Sequence, residues 1–281
     1  VSDGTTPAAG TAPFVTRHGH AALLEATGDH PFVRYDVPSA LAETWWQSAD
    51  AGGPGAGAGG RPGAVAFRRT RHTSRHLVSL LGDDAGVARL VDALPELARE
   101  ARLSPDGRGA VGVSVPQHLE ALLTRRYRVL PGGDWEWFWT DSPPPPDGRA
   151  AARVVPLDDV ARRDEVTAFL AAHSPTADTA PGGGERWFAV LSGAGSLEAV
   201  AALGRTSAGA PHVSSVAVDG ALRGRGLGRA VVAAVTRVAV EESGVCTLGM
   251  YSHNVVARGL YRSLGYHDAC AWAGRSVVLP D

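Results

Sequence analysis

Hydrophobic positions in the second half of the chain switch repeatedly between strand-like runs and helical spacing. Apolar runs at Ala152–Leu157, Trp187–Leu191, Ala199–Leu203, Val213–Val218 and Cys246–Met250 have strand length and are mostly rich in β-branched or aromatic residues. Between the last two, Leu227, Val231, Ala234, Val235 and Val238 recur on one helical face, which predicts a helix from about Gly226 to Glu242. Asp158 reads as the N-cap of an earlier helix reaching about Ala172. A short helix is predicted over Asn254–Ser263, followed by a strand pair at Tyr266–Trp272 and Ser276–Leu279. Gly182-Gly183-Gly184 reads as a loop. Strands joined by single crossover helices predict an α/β (α+β) mixed sheet.

The first half repeats part of this order. Val65–Phe67 and Leu77–Leu81 read as strands, Asp84–Arg102 as helix, Ala110–Val115 as strand, Gln117–Tyr127 as helix and Trp135–Trp139 as strand. The succession strand, helix, Tyr127, strand parallels strand, helix, Tyr266, strand, which suggests an internal duplication. Trp135, Trp137 and Trp139 alternate onto one strand face, best read as packed in a core or against the second half. Trp45-Trp46 fits either a substrate groove or a helix core. The proline run Ser142–Gly148 reads as a stiff, extended linker, and the glycine-rich stretch 51–63 as a surface loop. The expected organisation is an N-terminal domain over 1–142, a linker over 143–150 and a second domain over 151–281.

Composition narrows the function class. A formal charge of −2 and 44% hydrophobic residues exclude a disordered chain and weaken a nucleic-acid role. No apolar run is long enough to span a membrane, and the start lacks a secretory pattern. The two cysteines, Cys246 and Cys270, form no CxxC motif, and no metal is expected. A cytoplasmic protein is the expectation. The chain has no Lys and no Ile, so all 27 basic residues are Arg. That bias is mutational before it is functional, so arginine count alone says little about phosphate binding.

The chemistry concentrates at residues 213–230. A strand runs into Asp219-Gly220, then into Arg223-Gly224-Arg225-Gly226-Leu227-Gly228-Arg229, then into a helix. Glycines let backbone approach a ligand closely, and N–H groups at a helix N-terminus form an anion site that can wrap a pyrophosphate. A dinucleotide fingerprint, and with it a nucleotide-dependent oxidoreductase, lacks its third glycine. A P-loop needs a lysine, and there is none. A purely structural glycine turn also competes. Downstream, Asn254, Ala257, Tyr261, Gly265 and Tyr266 form a second spaced set. Seven residues at roughly 100° each place Asn254 and Tyr261 on one helix face. Taken singly, Asn254 also reads as an N-cap, Tyr261 as a core tyrosine and Gly265 as a helix C-cap.

These two segments together resemble the R-x-x-G-x-G/A loop and the N-x-x-A-x-x-x-Y-x-x-x-G-[FY] segment of the GNAT superfamily of N-acyltransferases. The resemblance covers about 150–281, and Gly220 stands where many relatives have proline. It implies a tandem GNAT-like fold and N-acetyl transfer from acetyl-CoA to an amine, most simply of a small molecule. It places the pyrophosphate on Arg223, Gly224, Arg225, Gly226, Leu227, Gly228 and Arg229. Pantetheine would run along Val216, Ala217 and Val218, beside a splay between Val213–Val218 and Cys246–Met250. Asn254 would contact the cofactor, and Tyr261 would act as acid. The base stays open among His212, Glu198, His253 and water. A non-catalytic acyl-CoA sensor is the alternative, and monomer or homodimer stays open. In the first half, Gly82-Asp83-Asp84-Ala85-Gly86 occupies the loop position and Leu122 the tyrosine position. That half is expected to be degenerate, without a cofactor.

Overall fold

The computed structural model describes residues 12–49, 63–70, 76–103, 109–145 and 154–280. The glycine-rich stretch 51–62 and linker residues 146–150 lie outside the described residues. The chain divides into two compact units: Val1–Asp29, Ser39–Gly132 and Ala273–Asp281 form one, and His30–Pro38 with Gly133–Trp272 the other.

The first unit is a mixed sheet. Strands β1 (Phe14–His18), β2 (Thr44–Ser48), β3 (Ala64–Thr70) and β4 (His76–Gly82) pair antiparallel in sequence order. β5 (Gly109–Pro116) then pairs parallel to β4, which requires a crossover, supplied here by helices. The expected helix over Asp84–Arg102 is two, α3 (Asp84–Asp92) and α4 (Leu94–Glu100), broken at Ala93. Pro95 has no N–H to continue the α3 ladder and sits in the first turn of α4 instead. The helix expected over Gln117–Tyr127 begins as a single 3-10 turn and continues as α5 (Glu120–Arg126). Helix α1 (His20–Ala26) follows β1. Trp45 and Trp46 lie buried in β2, their indole N–H groups donating to Gly19 O at 3.2 Å and Glu100 Oε2 at 2.8 Å. Neither borders a groove.

The second unit repeats the order. β7 (Val154–Leu157), β8 (Arg186–Leu191), β9 (Leu197–Arg205) and β10 (Pro211–Val218) are antiparallel. Helix α7 (Leu227–Ser243) crosses to β11 (Cys246–Tyr251), which is parallel to β10. Helix α8 (Val255–Ser263) leads into β12 (His267–Leu279). The helix expected from Asp158 starts later, as α6 (Arg163–His173), because Asp158 closes a turn instead, accepting from Ala161 N at 2.9 Å. Alternation along β8 buries both faces. Trp187 and Ala189 pack with Val166, Phe169 and Leu170 of α6, whereas Phe188 and Val190 pack with Leu227, Val231 and Val235 of α7.

Two expectations are corrected here. The strand pair expected after Tyr266 is one thirteen-residue strand, β12, whose ladder continues without a turn. The compact units also do not divide at the proline run. β6 (Arg128–Thr140), which precedes that run, pairs antiparallel with β11, from Cys246↔Thr140 to Tyr251↔Trp135. Its residues from Gly133 onward therefore belong to the second unit, while β12 from Ala273 completes the sheet of the first beside β5. β6 and β12 thus each have residues in both units.

Helix α2 (Pro31–Asp36) also belongs to the second unit. Phe32 packs edge-on against Trp137 at 5.4 Å between ring centroids, and Tyr35 lies 6.1 Å from Trp139. The tryptophan face of β6 is therefore packed, as its alternation suggested.

The α7 side of the core holds one buried polar cluster. Tyr266 Oη lies 2.8 Å from Thr236 Oγ1 and 3.1 Å from Cys246 Sγ, and Thr236 donates to Val232 O at 2.7 Å. Burial pushes the Cys246 thiol up to about 11. Tyr266→Phe removes one buried hydroxyl and is expected to cost about 1 kcal/mol in urea unfolding. With its thiol still protonated, Cys246 should stay unmodified by iodoacetamide at pH 8 in the native protein.

Candidate functional site

The strand-to-helix junction after β10 is a loop of exposed backbone. Asp219 N donates to Glu198 O at 3.0 Å, and the Asp219 carboxylate accepts from Ala221 N at 2.8 Å. Gly224 and Gly226 both have φ of 78°, a left-handed conformation that strains any residue with a Cβ. Gly226 is the N-cap of α7, with no side-chain capping bond and no acidic residue in the first turn. Among the described residues, the N–H groups of Leu227 and Gly228 at the start of this seventeen-residue helix therefore have neither an intrahelical partner nor an N-cap side chain. The helix dipole adds partial positive charge there. Arg223 and Arg225 are exposed beside it. Leu227 is buried, and Gly228 is half-buried, its Cα facing Val218, where a Cβ would lie 3.2 Å from Cγ2.

A residue missed in the sequence holds this loop. His173, the last residue of α6, accepts through Nδ1 from Gly220 N at 3.2 Å and through its carbonyl from Arg223 Nη2 at 3.0 Å. A proline at 220 has no N–H to give, so the glycine fits this anchor. Arg229 is bound elsewhere: its Nη1 donates to Ser263 Oγ of α8 at 2.6 Å.

β10 and β11 part close to this junction. Their parallel register covers His212↔Thr247 and Val213↔Leu248, although β10 continues to Val218 and β11 to Tyr251. β10 also bulges against β9 between Ser214 and Ala217, and Ser215 has φ of 49°. The bulge is fastened by Thr179: Ser215 Oγ donates to Thr179 O at 3.1 Å and accepts from Thr179 N at 3.2 Å, and the two hydroxyls of Thr179 and Ser214 lie 2.9 Å apart. Past the bulge, Val216 and Val218 pack on the α7 side and Ala217 on the α6 side.

Helix α8 brings the second motif to the α7 side of the sheet. Asn254 is its N-cap, with Oδ1 accepting from Ala257 N at 3.1 Å, so the side-chain NH2 is what it can offer a ligand. Tyr261 is buried against Phe138 and Tyr266, at ring-centroid distances of 6.2 and 6.0 Å. Among the described residues its hydroxyl makes no hydrogen bond, and burial pushes its pKa up to about 12. It is a protonated donor without a partner.

The candidate bases are scattered. His212 Nδ1 lies 2.9 Å from Thr247 Oγ1, which itself donates to Pro211 O at 2.8 Å. With that hydroxyl proton committed, Nδ1 is the donor in this contact. Glu198 is half-buried on β9, and His253 stacks on Tyr251 at 5.7 Å.

α8 is pinned from β6. Glu136, buried on β6, takes Arg258 in a two-point ion pair, with Nε to Oε2 at 2.7 Å, and Arg258 also donates to Ser252 O in the turn before α8. The carboxylate raises the Arg258 pKa. Arg258 lies one turn before Tyr261 on the same helix. Glu136→Gln keeps the shape and removes the charge. It is expected to loosen the hold of β6 on α8. Faster hydrogen exchange in α8 of the variant is the accompanying check.

A cavity of about 580 Å³ is lined by Glu185, Arg186, Arg205, Pro211 and Glu242. It sits at the far end of α7 from the glycine loop, and two of its lining residues, Arg186 and Glu242, form an ion pair at 2.7 Å. Among the described residues no cluster of three or more His, Cys, Asp or Glu side chains could hold a metal, and no helix is long and apolar enough to cross a membrane.

The exposed loop, the opened parallel pair and the buried tyrosine of the following helix lie in one stretch of the chain. Residues 134–266 match the Acetyltransferase (GNAT) family. The match begins in β6, ahead of the proline run. No curated protein sequence matches the chain. Among solved structures it is similar to an acetyltransferase of the GNAT family from Novosphingobium aromaticivorans (19% identity, TM-score 0.47, covering 92% of this chain and 97% of that one). It is also similar to a GCN5-related N-acetyltransferase from Sphaerobacter thermophilus (15%, 0.49, 96% and 97%). A tandem GNAT protein from the clavulanic acid biosynthesis pathway is a third (14%, 0.43, 95% and 99%).

Proposed function

We propose that the protein is an acetyl-CoA-dependent N-acetyltransferase acting on a primary amine of a small molecule. The observation that carries the reading is the uncapped N-terminus of α7, entered through two left-handed glycines and set beside the β10–β11 opening. Residues Arg223 to Arg229 would receive the pyrophosphate on main-chain N–H groups, with Arg223 and Arg225 adding charge. Backbone groups of Val216 and Val218 would take the pantetheine arm, and the Asn254 NH2 would donate to it.

Bound acetyl-CoA supplies an acyl group on a thiolate leaving group. The acceptor nitrogen forms a bond to the acyl carbon as the carbon–sulfur bond breaks. One proton leaves the nitrogen and one reaches the sulfur. Tyr261, protonated throughout the neutral range, would donate the second. Positioning and charge stabilisation supply the remainder, so no nucleophilic Ser or Cys is required.

The first unit is read as a degenerate copy of the same repeat. Asp83 caps α3, its Oδ1 accepting from Gly86 N at 2.6 Å, and Asp84 adds a second carboxylate in that first turn. Where α7 leaves N–H groups open, α3 presents negative charge. The task we assign to this repeat is to supply β6, and with it Glu136. Both cysteines are free thiols, and the cytoplasm is the compartment we assign. Coenzyme A release from acetyl-CoA with a panel of amines tests the reading; tight acetyl-CoA binding with no release from any amine would favour a sensor.

A further inference from the structure

Gly249 has no structural reason to be glycine. It sits inside β11 between the buried residues Leu248 and Met250. It is not among the positive-φ residues, and among the described residues a Cβ built on it would meet only Glu136 O, at an ordinary 3.9 Å. Glycine inside a strand gives up conformational entropy and packing, and it often marks a place where a ligand approaches the backbone. Gly249 is also exposed. The first repeat supplies a contrast. Gly112 lies in β5, the corresponding strand, and a Cβ there would come within 2.9 Å of Leu77 Cβ. Gly112 is crowded, whereas Gly249 is open.

The surroundings of that space are aromatic. Gly249 pairs with Trp137, Thr247 with Trp139, and Tyr251 with Trp135, so all six side-chain positions share one face. Trp135 and Trp139 are half-buried, and Tyr251 is 48% exposed. No residue of this set is a carboxylate. The alternate residues Glu136 and Phe138 point to the other face, toward Arg258 and Tyr261. On its other side β11 has left β10, since their register ends at Leu248.

We propose that the bare backbone at Gly249 is the floor of the acceptor site, and that the acceptor is a primary amine carrying an aromatic or similarly flat apolar group. The proposal rests on the acyltransferase reading above and adds the substrate class to it. The flat group lies on the Gly249 backbone against Tyr251 and the half-buried Trp135 and Trp139, beside Trp137, which Phe32 already covers. A polyamine would find no carboxylate in this set. The nitrogen reaches the β10–β11 opening from the face opposite Tyr261, so the amine and the proton donor approach the acyl group from different sides of the sheet.

The test uses the whole chain with acetyl-CoA and three acceptors: 2-phenylethylamine, spermidine and glucosamine. Coenzyme A release should give 2-phenylethylamine a kcat/KM at least about tenfold above the other two, and Gly249→Val should lower it about a hundredfold. Acetyl-CoA affinity of the variant, read by calorimetry, should stay within about twofold, since the change is on the acceptor side. Gly249→Ala, whose Cβ has room, should lose about fivefold and carries the test should the valine variant not fold. Undiminished turnover in a folded variant overturns the proposal, as does a folded variant that loses acetyl-CoA. No turnover of 2-phenylethylamine, or preference for spermidine or glucosamine, overturns it while a wild type that binds acetyl-CoA leaves the acyltransferase reading standing. A wild type that binds no acetyl-CoA removes both.

Discussion

Gly226→Glu is expected to raise the acetyl-CoA Kd at least about a hundredfold, because charge-assisted hydrogen bonds worth roughly 1.5–3 kcal/mol each are lost. Calorimetry on the whole chain reads this directly. Two effects act in the same direction. At φ of 78° a side chain strains the backbone that aims the loop N–H groups. The new carboxylate also lies at a helix N-terminus that carries no acidic residue, where it competes with the diphosphate for the same donors. Gly226→Asn separates the two. Asparagine tolerates the left-handed region and is neutral, so its binding should fall by no more than about tenfold, chiefly through its own capping of the helix. Wild-type affinity in the glutamate variant would remove this loop as the diphosphate site.

The parts of this molecule that were legible in the sequence are those built from neighbours along the chain. The junction from Val213 to Arg229 is one contiguous strand, turn and helix, and its glycines mark it in any context. The α8 spacing from Asn254 to Tyr266 is equally local, and the N-cap role of Asn254 follows from residue type alone. Of the α7 face read from its period, Leu227, Val231 and Val235 are buried, and Ala234 and Val238 are half-buried.

What was not legible depends on pairings between distant segments. Nothing in the run Trp135–Trp139 says that its ladder partner is Cys246–Tyr251, more than a hundred residues on. Assuming that each half keeps its own strands put the boundary at the proline run. The division of β6 and β12 between the two units moves it. The same holds for the side chains that hold the site. Glu136 finds Arg258 across 122 positions, His173 finds Gly220 across 47, and Thr179 finds Ser215 across 36. Each is an ordinary polar residue in sequence, and only the fold gives it a task. Gly249 could have been found earlier: a lone glycine in the run Cys-Thr-Leu-Gly-Met-Tyr already departs from strand preference.

Tyr261→Phe carries the second large effect. The substitution removes one oxygen from a ring buried against Phe138 and Tyr266 and leaves the packing in place. That hydroxyl has no hydrogen-bond partner among the described residues, so its loss should not destabilise the fold. A purely structural tyrosine predicts unchanged turnover. A proton donor predicts a kcat lowered by about 10²-fold or more, with acetyl-CoA affinity little changed. The pH dependence follows with a definite sign. Burial raises the phenol to about 12, so the group stays protonated, and able to donate, across pH 6 to 10. Loss of activity on deprotonation of Tyr261 therefore belongs near pH 12. The ratio of wild-type to variant kcat should be flat from pH 6 to 10. A ratio near one at every pH would take the acid role from this residue, and a ratio that collapses between pH 8 and 10 would mean the phenol titrates where its burial forbids.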